Sequence, residues 1–301
     1  MPLSPLVEHT FTFHHFNYAV QCWGDPAHEP VLALHGWLDN SESFSVLAEH
    51  LDSMYLIVPD LAGHGLSDQR IGFAEYSLWS ETNELCAIAD ALNVKQFALL
   101  GHSRGAMMAH IVAAVVPERI TALILLDAVT PIPVGNEQIL PRLRKRHHDM
   151  TQITRVTRRF NDKNAAIHAR CQSDYGGISR DNAERLAKRG ISEKDGYYFW
   201  HADSKLKLPA GAGLTAEQIT HLLGEVAAPT LALVAREGLM AKQKNTPLAA
   251  LAHKVIQANG ISVKTIEGDH FLHMSESVNI VANEVLNFIH GNENKETHRH
   301  V

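Results

Sequence analysis

The stretch FALLGHSRGAMMAHIVAAVVPERI, Phe97 to Ile120, decides the fold of this chain. Its first four residues are apolar and typical of a buried strand, and from Met107 onward the apolar spacing is helical. Ser103 lies at the junction, with Gly101 and Gly105 two residues to either side. So tight a strand-to-helix turn needs small neighbours and forces the serine into a strained backbone conformation. The pattern therefore predicts a nucleophilic serine raised above the end of a strand.

Short, continuously apolar runs recur along the chain and alternate with helical patterns. The runs are typical of strands buried on both faces of a parallel sheet, and they read VLALHG, YLIVPD, FALLGHS, ALILLDA and TLALVA. Helical spacing covers residues 43–51, 78–92, 106–116, 247–259 and 275–290. This alternation predicts a doubly wound α/β sheet. The first two strands, TFTFHHF and YAVQCW, have no helix between them and are expected to form an antiparallel hairpin at one edge.

Residues 131–226 interrupt this alternation, since they hold charged amphipathic segments and no convincing buried strand. We interpret them as a helical insertion of domain-like size within a core formed by residues 1–130 and 227–291. The polar residues 292–301 are expected to be disordered. Four consecutive aromatic residues, 197–200, either cover an apolar group of a substrate or form the insertion's own core.

Composition limits the possible partners. The formal net charge of -6 argues against a nucleic-acid-binding surface, and we interpret the basic segment 142–150 as a solvated helix face. No apolar run approaches the ~20 residues that a membrane-spanning helix needs, and the N-terminus lacks the pattern of a signal peptide. Three scattered cysteines suit a reducing compartment. We therefore expect a cytoplasmic protein with a small-molecule partner and neither a membrane nor a nucleic-acid partner, and we leave its oligomeric state open.

The 20 histidines do not form a recognisable metal site. No HExxH motif occurs, and the pairs His14-His15 and His147-His148 lack further ligands at suitable spacing. We therefore expect neither a metal nor a cofactor.

A serine nucleophile needs a base and an acid that orients the base, and in a fold of this kind the histidine comes last in the chain. His270 follows the last strand, in SVKTIEGDHFLHM, and is the expected base; His273 is interpreted as pocket wall or helix start. An oxyanion hole needs two backbone amides. We expect these from Arg104 and from Trp37, with Leu38 replacing Trp37 if the register shifts by one residue.

Two further loops are expected to shape the site. The substrate pocket is predicted to include His35, Gly36 and Trp37, which follow the VLALHG strand, and His102 beside the serine. Gly36 is expected to be glycine because the backbone there must approach the substrate oxygen closely. The loop PDLAGHGLSD, residues 59–68, has the glycine spacing of a tight turn and is interpreted as scaffold beneath the site.

Together these motifs resemble the α/β-hydrolase fold superfamily. The matching segments, in the family's order, are HGW at 35–37, DLAGHGLS at 60–67, GHSRG at 101–105 and GDHF at 268–271. The resemblance implies an eight-stranded, mostly parallel sheet and identifies the insertion with the family's helical cap. LHGWLDNSESF, LILLDA and HFLHMSE look more narrowly like the serine hydrolase-like protein group, which implies no defined physiological substrate.

The acid of the triad has two candidates. Many family members carry it shortly after the strand that precedes the histidine strand, and here that position most nearly coincides with Gly238. Glu237 lies beside this position, but it can equally be a surface residue paired with Arg236. Asp127 ends the strand next to the serine strand, where haloalkane dehalogenases place an acid. Adjacent strands are about 4.8 Å apart, so its carboxylate can reach the histidine, and Asp127 is favoured.

The resulting hypothesis is an esterase-type serine hydrolase acting on a small or medium carboxylic ester through an acyl-enzyme on Ser103. A serine at this position disfavours the haloalkane dehalogenases and epoxide hydrolases that share the scaffold, because both use an aspartate. The alternative is a ligand-binding or receptor-like protein with weak or lost turnover, which the ambiguous acid favours. The side chain of Arg104 is expected either to pair with Asp127 or to face a carboxylate on the substrate.

Overall fold

A central eight-stranded sheet organises the chain in the order β1-β2-β4-β3-β5-β6-β9-β10. The computed structural model describes residues 7–153, 158–172, 178–211 and 213–297, with side chains to residue 291. The strands of this sheet are β1 Val7–Phe13, β2 Phe16–Trp23, β3 Glu29–Leu34, β4 Met54–Pro59, β5 Phe97–His102, β6 Ile120–Leu126, β9 Thr230–Ala235 and β10 Ser262–Ile266. β1 and β2 form the predicted antiparallel edge hairpin and β2 runs antiparallel to β4, whereas the other neighbours are parallel.

Helices cover both faces of the sheet, as the doubly wound prediction requires. The helices of the described residues are α1 Ser45–Ala48, α2 Thr82–Ala91, α3 Arg104–Val115, α4 Asn136–Gln152, α5 Lys163–Cys171, α6 Arg180–Gly190, α7 Ala216–Leu223, α8 Leu239–Lys242, α9 Pro247–Ala258 and α10 Val278–Thr297. One core cluster joins α2, α3, α7 and α9 to the sheet, and a second joins α1 and α10 to its opposite face. Within β3, Leu32 and Leu34 belong to the first cluster, and Val31 and Ala33 to the second. A strand buried on both sides explains why its sequence is continuously apolar.

Two helical predictions differ from the structure in their extent. The segment 43–51 forms a short 3-10 helix, Ser41–Phe44, followed by the four-residue α1, and α2 begins four residues later than expected. α10 continues to Thr297, so helix includes most of the segment for which the polar composition predicted disorder; residues 298–301 lie outside the described residues.

Residues 131–226, hereafter the insertion segment, lie between the adjacent strands β6 and β9 and add no strand to the main sheet. They contribute α4 to α7 and also a two-stranded hairpin, β7 Ile191–Lys194 and β8 Tyr197–Trp200, which the sequence prediction missed. β7 reads ISEK and is mostly exposed, and β8 is the aromatic run 197–200, which is only partly buried, so neither has the pattern of a buried core strand. α5 and α6 share a buried cluster with Phe271 and Met274, so the insertion segment packs on the loop that carries His270.

No helix in the described part of the chain combines the length and the apolar character needed to cross a bilayer.

Candidate active site

The candidate site lies where the carboxyl ends of β5, β6, β9 and β10 meet. In the parallel pair β5–β6, His102 is the register partner of Leu126, so Ser103 and Asp127 follow side by side on adjacent strands. The amide of Ser103 donates to the carbonyl of Leu126 over 3.0 Å. Beyond β9 and β10, the amide of Glu237 donates to the carbonyl of Gly268 over 3.0 Å, two residues before His270. The topology thus brings three distant segments to one edge of the sheet.

Ser103 has the strained backbone that its glycine spacing predicts, with φ 54° and ψ −116°. A Cβ added to Gly101 would lie 2.5 Å from the Cα of Ala106, and one added to Gly105 would lie 2.0 Å from the carbonyl oxygen of Leu34. Neither position can therefore hold a side chain. Asp127 also has a positive φ, 53°, at the end of the neighbouring strand. Such conformations cost about 1–3 kcal/mol each and concentrate at functional sites.

Asp127 is the carboxylate that meets His270. Nδ1 of His270 donates to Oδ2 of Asp127 over 2.7 Å, and the Asp127 side chain is fully buried. The same carboxylate also accepts from the amides of Ala235, over 3.0 Å, and Leu239, over 2.5 Å. These backbone donors fix the carboxylate, and its bond to Nδ1 leaves Nε2 of His270 as the nitrogen available for a reaction.

Gly238 occupies the chain position where the acid was first expected, and the structure explains its lack of a side chain. A Cβ there would lie 2.2 Å from Oδ2 of Asp127. The carboxylate from β6 therefore fills the space that a side chain at residue 238 would need. Glu237 is exposed, and Arg236 pairs with Glu267 over 2.5 Å rather than with Glu237 as one interpretation suggested. The alternative acid, Glu237, is thus not the carboxylate bonded to His270.

Ser103 and His270 are linked through His102. Nε2 of His102 donates to the carbonyl of His270 over 2.8 Å, and the two rings lie 4.6 Å apart. Within the described residues no hydrogen bond joins Ser103 Oγ to His270; in unliganded enzymes such bonds are often long and tighten when substrate binds.

His102 does not line a substrate pocket as expected, because it is only 1% exposed and supports the His270 loop from behind. Burial lowers its pKa well below the usual value, and the nearby rings of His273 and His270 lower it further. With its proton on Nε2, neutral His102 presents the unprotonated Nδ1 to Oδ2 of Asp39, 3.9 Å away.

His35 also supports the loops beneath the site and does not line a pocket, where it was expected. Its ring is fully buried, Nδ1 donates to the carbonyl of Gly36 over 2.8 Å, and Nε2 accepts from the amide of Leu61 over 3.0 Å. Burial lowers the pKa of His35 despite the opposing effect of the Asp60 carboxylate. The neutral ring thus ties the loop after β3 to the loop after β4, and a substrate cannot reach it.

The structure shows a packing reason for glycine at position 36. A Cβ there would lie 2.7 Å from Oδ2 of Asp39 and 2.9 Å from Nδ1 of His102. The close packing of the Asp39 and His102 side chains against Gly36 therefore leaves no room for a side chain at this position.

His273 forms part of the wall behind the base. It lies in the short 3-10 helix Leu272–Met274, is fully buried, and packs against the rings of His102 and Phe44 at 4.3 and 4.9 Å. Burial lowers its pKa to about 3. This fits the interpretation of His273 as wall and not as base.

Arg104 and Trp37, the two residues expected to supply oxyanion-hole amides, lie at the start of α3 and in the turn after β3. Arg104 is the first residue of α3, where helix amides point outward without partners inside the helix. Trp37 follows β3 in a turn whose next residue, Leu38, has φ 62°. The Trp37 indole is held by the insertion segment, since its Nε1 donates to the carbonyl of Leu206 over 3.0 Å.

The side chain of Arg104 pairs with Glu81, not with Asp127. Its Nη2 lies 3.4 Å from Oε1 of Glu81, a fully buried residue just before α2. Its Nη1 is buried, and no hydrogen-bond partner for it occurs among the described residues. Burial raises the pKa of Glu81 more than the Arg104 guanidinium lowers it. The sequence offers no signal for this pair, because Glu81 lies in a polar stretch that reads as a surface helix start.

Buried ion pairs fasten the insertion segment over this edge of the sheet. Arg189 of α6 donates from Nε to Oδ2 of Asp60 over 2.7 Å and also pairs with Glu8. Arg170 of α5 pairs with Asp39 over 3.0 Å. Asp60 further accepts from the amides of Ser41 and Leu66, both at 2.8 Å, which agrees with the scaffold interpretation of the 59–68 loop.

Comparison with known proteins agrees with this fold. Residues 29–276 match the model of a family described as alpha/beta hydrolase fold. A serine hydrolase-like protein of Danio rerio is 28% identical over 277 residues, which cover 88% of this chain and 84% of that protein. The crystal structure of a hypothetical protein from Pseudomonas aeruginosa PAO1 superposes with a TM-score of 0.86 at 30% identity, covering 94% of this chain and 99% of that one. A thioesterase domain from the curacin biosynthetic pathway, at 22% identity, has the same fold with a TM-score of 0.79, and the match covers 94% of this chain and 99% of that domain.

Proposed function

This chain belongs to the α/β hydrolase family, and we propose that it is a serine hydrolase that cleaves small or medium carboxylic esters through an acyl-enzyme on Ser103. One observation carries the proposal: Asp127, directly after β6, accepts a hydrogen bond from His270 in the loop after β10, beside a strained Ser103. The serine hydrolase-like relatives support the same reaction class.

In the proposed first step, Nε2 of His270 accepts the proton of Ser103 Oγ while that oxygen attacks the ester carbonyl. The new C–O bond gives a tetrahedral oxyanion, held by the amides of Arg104 and Trp37. His270 then gives its proton to the leaving alkoxide, the scissile C–O bond breaks, and an alcohol departs. Water, deprotonated by His270, hydrolyses the acyl-enzyme in the reverse sense, releasing the acid and restoring Ser103. Asp127 holds the imidazole in the required tautomer and stabilises the imidazolium.

The alternative, a receptor-like protein with weak or lost turnover, rested on the uncertainty over which residue supplies the acid of the triad. A carboxylate bonded to Nδ1 over 2.7 Å removes that motive, so we retain the enzyme as the proposal.

The test uses a fluorophosphonate probe and short p-nitrophenyl esters. We expect the wild-type protein to be labelled on Ser103 and to release p-nitrophenol, and we expect Ser103→Ala to lose both. Ser80→Ala, at an exposed serine outside the site, is the matched control and should keep both. Equal labelling and turnover by Ser103→Ala and the wild type would refute the proposed nucleophile.

A further inference from the structure

α4 is unusual among the longer helices of the described residues because so few of its side chains are buried. Of the side chains in Asn136–Gln152 only Arg146 is buried, and it is held by Glu75 over 2.6 Å and by the carbonyl of Pro209 over 3.0 Å. Helices of soluble proteins normally bury an apolar stripe. Here the buried residue is charged, and the apolar side chains lie outside.

Large apolar side chains cluster on and beside this helix. Leu140 and Leu143 are 53% and 45% exposed, and Phe73 in the adjoining loop is 82% exposed. Leu143 lines two grooves, of about 430 and 510 Å³, that run along α4; Ile139 lines the first and Phe73 the second. The side chains therefore form one continuous surface. Exposed apolar surface of this kind on a soluble protein commonly marks an interaction site.

The same helix is basic in an acidic protein. α4 carries four arginine or lysine residues and two acidic residues, whereas the whole chain has a net charge of -6. Among the described residues, Lys145 pairs with Asp149 over 2.7 Å, and Arg142 and Arg144 form no ion pair. His147 and His148 lie in the same helix, directly after Arg146. A helix with arginine and lysine beside exposed leucine is typical of proteins that lie on an anionic membrane surface.

We propose that α4 and the loop at residues 71–73 form a docking surface for bilayers that carry anionic phospholipids. The basic side chains complement the headgroup charge, and Leu140, Leu143 and Phe73 enter the boundary between headgroups and acyl chains. The surface lies on the insertion segment and does not depend on the reaction proposed for Ser103. It departs from the expectation of no membrane partner, which rested on the lack of a membrane-spanning apolar run and of a signal peptide. A helix can bind a bilayer surface without crossing it.

Binding to extruded vesicles, measured by flotation, tests the proposal on the full chain. We expect binding to phosphatidylcholine vesicles that contain phosphatidylglycerol to exceed binding to phosphatidylcholine alone by about 100-fold, and to weaken as salt is raised. Arg142→Ser with Arg144→Ser should weaken binding about 30-fold. Leu140→Ser with Leu143→Ser should weaken it at least about tenfold.

Matched controls remove equivalent groups elsewhere. Lys244→Ser with Lys254→Ser removes two exposed charges, and Val263→Ser with Ile280→Ser removes two exposed apolar side chains; both pairs should bind as the wild type does. Ser103→Ala should also bind unchanged, which separates this proposal from the enzymatic one.

Three outcomes would overturn the docking proposal. The first is equal binding to vesicles with and without phosphatidylglycerol. The second is wild-type binding by both α4 variant pairs. The third is a dimer in sedimentation that the Leu140→Ser with Leu143→Ser variant loses, which would mean that these leucines join two copies of the chain.

Discussion

Asp127 and Gly238 act as a complementary pair at the scale of single residues. The carboxylate of Asp127 fills the space that a side chain at residue 238 would need, because a Cβ there would come within 2.2 Å of Oδ2. The two positions therefore cannot both carry a side chain without a rearrangement. The small residue at 238 is thus a consequence of placing the acid on β6.

Asp127→Asn is expected to lower kcat by about 10⁴-fold, because an amide at this position orients the wrong tautomer of His270. Glu237→Gln, at an exposed position, should change kcat by less than about threefold. Steady-state hydrolysis of a p-nitrophenyl ester measures both. The reverse ranking would transfer the role of acid to Glu237.

Moving the acid between the two strand ends tests the pair directly. A Cβ at residue 238 would also lie 2.5 Å from the Cβ of Ala235, so the exchange is made in an Ala235→Gly background. There, Asp127→Gly combined with Gly238→Asp should recover at least about tenfold of the activity that Asp127→Gly loses, because both obstructing side chains are gone. Gly238→Asp alone should impair both activity and folding. If the double variant is no more active than Asp127→Gly, while its thermal unfolding remains cooperative, the acid cannot be supplied from residue 238.

At the scale of elements, the insertion segment is held to the sheet by buried charges as well as by apolar packing. Arg189 is 5% exposed and Asp60 is fully buried, and they join α6 to the loop after β4. Removing one member of such a pair leaves an uncompensated buried charge, which is far more costly than losing a surface pair.

Asp60→Ala is accordingly expected to lower the free energy of unfolding by about 3–5 kcal/mol, measured by urea denaturation. Asp90→Ala is the matched control, since it breaks the pair that Asp90 forms with Arg119 while 64% of the Asp90 side chain is exposed. Its expected cost is about 0–1 kcal/mol. Equal costs for the two variants would mean that the buried pair contributes no more than a surface one.

The whole molecule carries an acid-sensitive set of buried histidines. Burial lowers the pKa of His35, His64 and His102, lowers that of His110 to about 4, and lowers that of His273 to about 3. The unfolded chain binds these protons near about pH 6.5, whereas the folded chain stays neutral at these rings until the pH is far lower. The unfolded state therefore holds more protons in this window, and stability falls as the pH falls.

Stability should consequently be highest above about pH 6.5 and should decrease toward about pH 4, with each such histidine contributing about 1.4 kcal/mol per pH unit. His110 gives the clearest test, because its Nδ1 donates to the carbonyl of Val129 over 2.7 Å and an asparagine can make a similar bond. His110→Asn should reduce the slope of unfolding free energy against pH by about 1.4 kcal/mol per unit. An unchanged slope would show that His110 does not titrate with unfolding.

Much of the fold and part of the site follow from local sequence. The glycines around Ser103, the continuously apolar strands and the hairpin β1–β2 are set by the conformations and burial of neighbouring residues, which a short window of sequence records. The position of His270 follows from chain order once the last strand is recognised.

Tertiary structure alone decided which acid meets His270, that His35 and His102 support the site from behind, and that Arg104 pairs with Glu81. Each of these depends on strand register and on contacts between residues that lie about 20 to 170 positions apart in the chain. The physical reason is that burial and partner choice are properties of the packed assembly, whereas a local pattern specifies only the conformation of its own segment.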